Sequence, residues 1–357
     1  MPSPCPRSLL APALACLCQG NTPSAAQIQM LDQGRWLCAG GRDRPLDLWR
    51  QMDQFQQIYP QVKDRCRQRH GLLEDPSYLL WTLWMPLAAA VAQRRRQRGR
   101  PIVQGLLGGQ GTGKTTLCDM LSLILAQQGL RAASLSLDDL YQPYAVRQQL
   151  QRRDPRLRWR GPPGTHDLDL GLATLDQVRA GAGPLSLPRF DKSAHQGQGD
   201  RTASERVSGV DVLLFEGWFV GLRPLPDSAF DHPPPPIVTP AHRQFARDMN
   251  RALADYLPLW ARLDGLWVLR PQDYRWSQQW RWEAEAKAMA ANRPGMSQEE
   301  VAEFVDYFWR SLHPQLFLPA LLRRASQAEG AMEEMIEGVI EIDRHHQPCG
   351  FYCPGAS

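Results

Sequence analysis

Gly108-Gly109-Gln110-Gly111-Thr112-Gly113-Lys114-Thr115 is the stretch that decides the fold, because two glycines separated by four residues and followed by lysine and threonine form the P-loop pattern. Glycines let the backbone bend so that its N–H groups approach phosphate oxygens. The Lys114 ammonium is suited to the β- and γ-phosphates, and the Thr115 hydroxyl is suited to Mg²⁺. We therefore predict a nucleotide site over residues 108–116, with Thr116 included.

The residues on either side of the glycine run fit a phosphate loop. Residues 101–107 are mostly apolar and predict a buried strand, and 114–128 carry apolar residues at helical spacing before Gly129. A strand, a glycine loop and a helix N-terminus together form an anion-binding site.

Composition narrows the class of protein. The chain has 357 residues, 43% of them hydrophobic, and a net charge of +4, which is too mild to indicate a nucleic-acid or membrane-surface partner. No stretch approaches the length of a membrane span, and the eight cysteines lack the paired spacing of a zinc site. We expect a cytoplasmic protein with a small-molecule substrate; its oligomeric state stays open.

Strand-like and helix-like segments alternate after the P-loop. We predict strands at 101–107, 132–137, 210–215 and 264–269, and helices at 114–128, 170–180, 240–257, 276–291 and 297–309. This alternation predicts an α/β fold of the P-loop NTPase type, a mostly parallel sheet flanked by helices. Two polar insertions, 142–167 and 188–209, interrupt the pattern as long loops suited to a substrate site or a lid. We predict an N-terminal arm and helical extension (1–97), a kinase domain (98–343) and a frayed tail (344–357).

Carboxylates follow two of the predicted strands. Glu216 ends the apolar run that begins at Val210, and Asp138 and Asp139 follow the strand at 132–137. Ligands bind at the carboxyl ends of strands in open α/β sheets, so these groups are expected at the nucleotide site. Glu216 is suited to holding Mg²⁺ through water. Of the two aspartates, one is suited to accept the proton of an attacking hydroxyl and the other to support the metal.

Ser136-Leu-Asp-Asp-Leu-Tyr141 resembles the strand-two motif of the uridine kinase, phosphoribulokinase and pantothenate kinase superfamily. Four blocks resemble more specifically the D-glycerate 3-kinases of plants and cyanobacteria. They are 137–141 (Leu-Asp-Asp-Leu-Tyr), 160–167 (Arg-Gly-Pro-Pro-Gly-Thr-His-Asp), 187–201 (with Phe-Asp-Lys-Ser and Gly-Asp-Arg) and 214–221 (Leu-Phe-Glu-Gly-Trp-Phe-Val-Gly). With the P-loop they occur in order and cover roughly residues 100–325; residues 1–97 carry no motif of the family.

The resemblance implies transfer of the γ-phosphate of ATP to the 3-hydroxyl of D-glycerate, with Mg²⁺ as cofactor. It assigns the base to Asp138, leaving Asp139 and Glu216 with Thr115 as metal candidates. A small hydroxy acid needs a cation for its carboxylate and polar groups for its hydroxyls. Candidates in the matching blocks are Tyr141, His166, Asp167, Arg189 and Lys192. Arg201 is expected in a lid that closes on the phosphates, as in related kinases, where it acts with Lys114 as a catalytic cation.

Other functions stay open at this level. The P-loop and Asp138 suit a kinase of another small alcohol equally well, such as a nucleoside, a pentose phosphate or pantothenate. A regulatory ATPase is a different class of protein that would hydrolyse ATP slowly and show no stimulation by an alcohol. A GTPase switch would carry Asn-Lys-x-Asp for guanine, and the sequence has none.

Overall fold

The computed structural model describes residues 7–35, 47–290, 295–327 and 336–354. The main sheet has six strands, in the order β2-β5-β1-β6-β7-β8. The first five are parallel, and only β8 runs antiparallel to its neighbour β7. The strands are β1 (Ile102–Gly108), β2 (Ala132–Ser136), β5 (Val212–Gly217), β6 (Gly265–Pro271), β7 (Ile336–Ile342) and β8 (Pro348–Tyr352).

Alternating side chains of the central strands belong to two separate hydrophobic cores. On β1, Ile102 and Leu106 join a core on one face, whereas Val103 and Leu107 join a core on the other. Burial on both faces explains why these strands are continuous apolar runs instead of alternating ones. The predicted mostly parallel sheet flanked by helices is confirmed, and four of its strands lie where the sequence placed them.

Helices cover both faces of the sheet. They are α1 (Arg7–Cys18), α2 (Ala25–Gln33), α3 (Leu48–His70), α4 (Ser77–Leu79), α5 (Met85–Arg98), α6 (Lys114–Gln127), α7 (Tyr144–Arg153), α8 (Leu168–Ala180), α9 (Pro240–Ala252), α10 (Leu257–Trp260), α11 (Trp276–Ala290), α12 (Gln298–Ser311) and α13 (Pro314–Gln327). A π-helical segment, Leu80–Trp84, joins α4 to α5. None of the helices in the described ranges is both long enough and apolar enough to cross a membrane.

The N-terminal region packs against the sheet. Leu10 of α1, Phe55 of α3 and Trp81 are fully buried in the same core as α6. The expectation of a loose arm is wrong for residues 7–33, since they form α1 and α2 and bury apolar side chains on α3 and its neighbours. Residues 1–6 and 36–46 lie outside the described residues.

Two segments expected to be irregular form strands. Residues 185–191 (β3) and 200–207 (β4) pair as an antiparallel hairpin, inside the insertion expected to be a loop. Residues 348–352 form β8, so the expectation of a frayed tail is wrong for them; backbone pairing with β7 holds them in the sheet. The division of the chain into three parts stays a prediction.

Candidate active site

The P-loop connects β1 to α6 at the carboxyl edge of the sheet. Gly111 and Gly113 have φ values of +79° and +85°, a backbone conformation that favours glycine. A Cβ on Gly111 would also lie 2.7 Å from the Cβ of Trp280. The loop therefore requires glycine at position 111 both for its turn and for the close approach of α11.

The Lys114 ammonium is held at this loop. It donates to the carbonyl of Gly109 at 3.0 Å and lies 3.9 Å from a carboxylate oxygen of Glu216. Glu216 ends β5, and the register of β5 with β2 places it beside Ser136. Burial raises the pKa of Glu216, and the positive charge of Lys114 opposes that rise. A cation, a carboxylate and the first turn of α6 thus meet at one edge of the sheet.

Asp138 lies in a short turn (137–140) directly after β2. One of its oxygens accepts a hydrogen bond from the Tyr141 hydroxyl at 2.8 Å, and the other lies 2.5 Å from the Lys192 ammonium. Burial acts to raise the pKa of Asp138, but the charge of Lys192 and the hydrogen bonds from Lys192 and Tyr141 outweigh it, so this pKa is lowered. Asp138 is therefore an ionised carboxylate that can accept a proton.

A cavity of about 970 Å³ joins these groups. Its wall includes Lys114, Thr115, Asp138, Tyr141, Lys192 and Glu216, all of which the sequence predicted as site residues, together with Gln110 and Gly111 of the P-loop. The structure thus brings together the predicted nucleotide loop, both edge carboxylates and one of the predicted substrate cations.

The Asp139 side chain does not line this cavity. Its carboxylate accepts hydrogen bonds from the backbone N–H groups of Ser136 and Phe190, at 2.9 and 3.2 Å, and pairs with Arg189 at 3.1 Å. Arg189 also pairs with Glu205 at 2.7 Å. Both side chains fasten the β3–β4 hairpin to the turn after β2, and the metal role of Asp139 and the substrate role of Arg189 stay predictions.

Asp167 and Arg201 form a second structural pair. Asp167 caps α8 by accepting from the backbone N–H of Leu170 at 3.0 Å, and it pairs with Arg201 at 2.6 Å. Arg201 donates in addition to the carbonyl of Tyr141 at 3.1 Å. These contacts use both side chains, and neither residue lines the cavity, so the substrate role of Asp167 and the catalytic role of Arg201 stay predictions.

His166 lies one layer behind the cavity. Its ring stacks on Tyr141 with centroids 4.6 Å apart, and its Nδ1 lies 2.8 Å from the Tyr256 hydroxyl. Burial lowers the pKa of His166 to about 3, so the ring is neutral. The side chain is only 4% exposed and supports Tyr141 from behind, and a hydrogen bond from His166 to a substrate hydroxyl stays a prediction.

Four arginines on the cavity wall were absent from the sequence-based set: Arg147, Arg158, Arg160 and Arg281. Arg158 pairs with Glu303 and Arg281 with Glu285, each at 2.5 Å. Arg160 instead donates to the carbonyl of Gly197 at 2.7 Å, and no described residue offers it a carboxylate. The signal was present in the sequence, because Arg160 opens the Gly-Pro-Pro-Gly block, but only the fold places it near Tyr141, 5.9 Å from the ring centroid.

Comparisons with known proteins find relatives among kinases. No family model matches the chain. D-glycerate 3-kinase, chloroplastic, of Arabidopsis thaliana is 32% identical over 255 residues, which cover 68% of this chain but only 52% of that protein, about half its length. An uncharacterized kinase of Schizosaccharomyces pombe is 32% identical over 222 residues, covering 60% of this chain and 80% of the relative.

A solved structure has a similar fold. D-glycerate 3-kinase from Cryptococcus neoformans var. grubii superposes with a TM-score of 0.66 at 25% identity, covering 76% of this chain and 99% of that one. The P-loop, the strand order and these matches lead to one conclusion. The chain belongs to the family of P-loop kinases that includes D-glycerate 3-kinase.

Proposed function

We propose that this protein transfers the γ-phosphoryl group of ATP to the 3-hydroxyl of D-glycerate, giving 3-phospho-D-glycerate and ADP. The observation that carries the proposal is the placement of Asp138 in one cavity with Lys114 and with Arg160, an arginine of that wall that meets no described carboxylate. The cavity then offers a proton acceptor, a phosphate cation and a cation for a carboxylate.

The P-loop residues 108–116 hold the triphosphate through backbone N–H groups and Lys114. The Thr115 hydroxyl and the Glu216 carboxylate, both on the cavity wall, fit a hard cation that prefers oxygen ligands. When bound there, Mg²⁺ neutralises phosphate charge. The Lys114 ammonium, which lies 3.9 Å from Glu216, also neutralises phosphate charge.

Asp138 accepts the proton of the 3-hydroxyl as the bond from that oxygen to the γ-phosphorus forms and the bond to the ADP oxygen breaks. Tyr141 and Lys192 orient Asp138 through its two oxygens. Arg160, with five N–H donors in a planar fork, suits the planar carboxylate of glycerate. We thus assign two separate roles to the two cations: Lys192 orients the base, and Arg160 binds the carboxylate of the substrate.

The test is ADP release with Mg-ATP and a panel of alcohols: D-glycerate, L-glycerate, uridine, ribulose 5-phosphate and pantothenate. We expect stimulation by D-glycerate and 3-phosphoglycerate as its product, identified against 2-phosphoglycerate by NMR. Stimulation by a different alcohol would discard the substrate and keep the kinase. Slow ATP hydrolysis that no alcohol accelerates would favour a regulatory ATPase.

A further inference from the structure

The N-terminal extension meets the P-loop helix through the last turns of α3. Arg65, Arg69 and His70 all converge on Asp119 of α6, at 3.0, 3.1 and 2.9 Å. Asp119 is only 11% exposed at its side chain, so this is a partly buried ionic cluster. It fixes where the end of α3 lies relative to the start of α6.

His70 reaches a second residue of α6. Its Nε2 lies 2.9 Å from Asp119, and its Nδ1 lies 3.4 Å from the hydroxyl of Thr116, which is a long hydrogen bond. Asp119 and Thr116 are three residues apart in one helix, so they share a face. The result is a chain of contacts from Asp119 through His70 to Thr116.

The chemistry of the three side chains decides which group donates in each of these hydrogen bonds. An ionised carboxylate only accepts, so Nε2 of His70 donates to Asp119. The imidazole ring is then fixed in its plane, and Nδ1 has Thr116 as its partner. An imidazole that donates from Nε2 accepts at Nδ1, so the Thr116 hydroxyl donates to His70, and the contact ties the Thr116 side chain to α3. Thr116 follows Lys114 and Thr115 in the first turn of α6, the turn whose N–H groups receive phosphate.

We propose that His70 is a positioning residue for the nucleotide: Asp119 fixes its ring, and through Thr116 it holds the first turn of α6, whose N–H groups bind the phosphate chain. The inference rests on the proposed use of ATP. It gives the N-terminal extension, which carries no motif of the family, a share in the nucleotide site. The effect belongs to nucleotide affinity, and the alcohol acceptor has no part in it.

Two substitutions separate this role from simple anchoring of α3. The amide of His70→Asn occupies the place of Nδ1 and keeps a partner for Thr116, whereas the amide of His70→Gln occupies the place of Nε2 and keeps only Asp119. We expect His70→Gln to weaken binding of Mg-ATP and Mg-ADP, measured by isothermal titration calorimetry, by about 5- to 10-fold, the size of one lost hydrogen bond between neutral groups. His70→Asn should bind both nucleotides like the unmodified protein.

A double-mutant cycle provides the second readout. In a Thr116→Val background, His70→Gln should cause no further loss of affinity, since the effect passes through the threonine hydroxyl. Arg69→Gln is the matched control: it removes another partner of Asp119 that does not reach Thr116, and it should leave nucleotide affinity unchanged.

Two results would overturn the proposal. In the first, His70→Gln binds nucleotide as well as His70→Asn does; in the second, His70→Gln still lowers the affinity in the Thr116→Val background. Because binding needs no alcohol, the proposed function is tested separately. A protein that follows the expected binding pattern but does not phosphorylate D-glycerate would refute only the substrate, and normal glycerate turnover with equal binding by both variants would refute only the role of His70.

Discussion

The ammonium of Lys192 lies 2.5 Å from a carboxylate oxygen of Asp138. The two residues are 54 positions apart, and the β3–β4 hairpin brings them together at the end of β2. Lys192 keeps the candidate base ionised, and it is 62% exposed at its side chain, so it can leave when an alcohol arrives. The ion pair links the insertion after α8 to the chemistry at the sheet edge.

Replacing the candidate base tests its role directly. Asp138→Asn keeps the shape of the side chain but cannot accept the hydroxyl proton, so turnover should fall by about 10²-fold or more while ATP affinity stays the same. Steady-state kinetics and calorimetric ATP binding measure the two quantities. Near-normal turnover would remove Asp138 from the role of base.

Lys192 should set the acidic limit of activity. Without its charge, burial of Asp138 is less opposed and the pKa of Asp138 rises, so Lys192→Met should move the acidic limb of the kcat/KM profile to higher pH. Lys192→Arg retains the charge and serves as the control. An acidic limb at the same pH in Lys192→Met would show that this ion pair does not govern the base.

Arg160 should recognise the carboxylate of the acceptor. Arg160→Ala is expected to raise KM for D-glycerate by about 10- to 100-fold, the effect of losing charge-assisted hydrogen bonds, with KM for ATP unchanged. Glycerol provides the matched control, because it has the same hydroxyls without the carboxylate. Equal losses for glycerate and glycerol would contradict a carboxylate contact.

Arg189 should matter for stability and leave substrate affinity unchanged. Arg189→Met removes its pairs with Asp139 and Glu205 and is expected to lower Tm by a few degrees. KM for D-glycerate should stay near that of the unmodified protein. A large rise in KM at unchanged Tm, seen by kinetics and differential scanning calorimetry, would support a substrate role for Arg189.

His166 should make the protein less stable in mild acid. Burial lowers its pKa from 6.5 to about 3, so between these values the unfolded chain binds the proton and the folded chain does not. The free energy of unfolding therefore falls as the pH drops through this window, by about 2 kcal/mol from pH 7.5 to 5.

His166→Asn removes this titration and keeps an amide near Tyr256. Urea denaturation at pH 7.5 and 5 should show a smaller loss of stability in the variant than in the unmodified protein. His313, with its pKa lowered by burial to about 4, contributes equally to both proteins. Losses of equal size would mean that His166 is accessible to protons in the folded state.

The sequence by itself determined the features encoded over short stretches. The phosphate loop needs only consecutive backbone conformations that glycine permits, and a buried parallel strand is a continuous apolar run. Residues at the end of such a strand lie at the carboxyl edge of the sheet, so Asp138 and Glu216 were placed beside the P-loop without coordinates. The resemblance to the family rested on the same local blocks.

Only the tertiary structure decided which charged side chains face the cavity. Asp139 and Asp167 look like equivalents of Asp138 in the sequence, yet docking of the β3–β4 hairpin gives them Arg189 and Arg201 as partners and leaves Arg160 without a described carboxylate. The same holds for His70, which reaches Thr116 across 46 residues. Pairing between distant charges depends on how separate elements pack, and no short stretch of sequence contains that information.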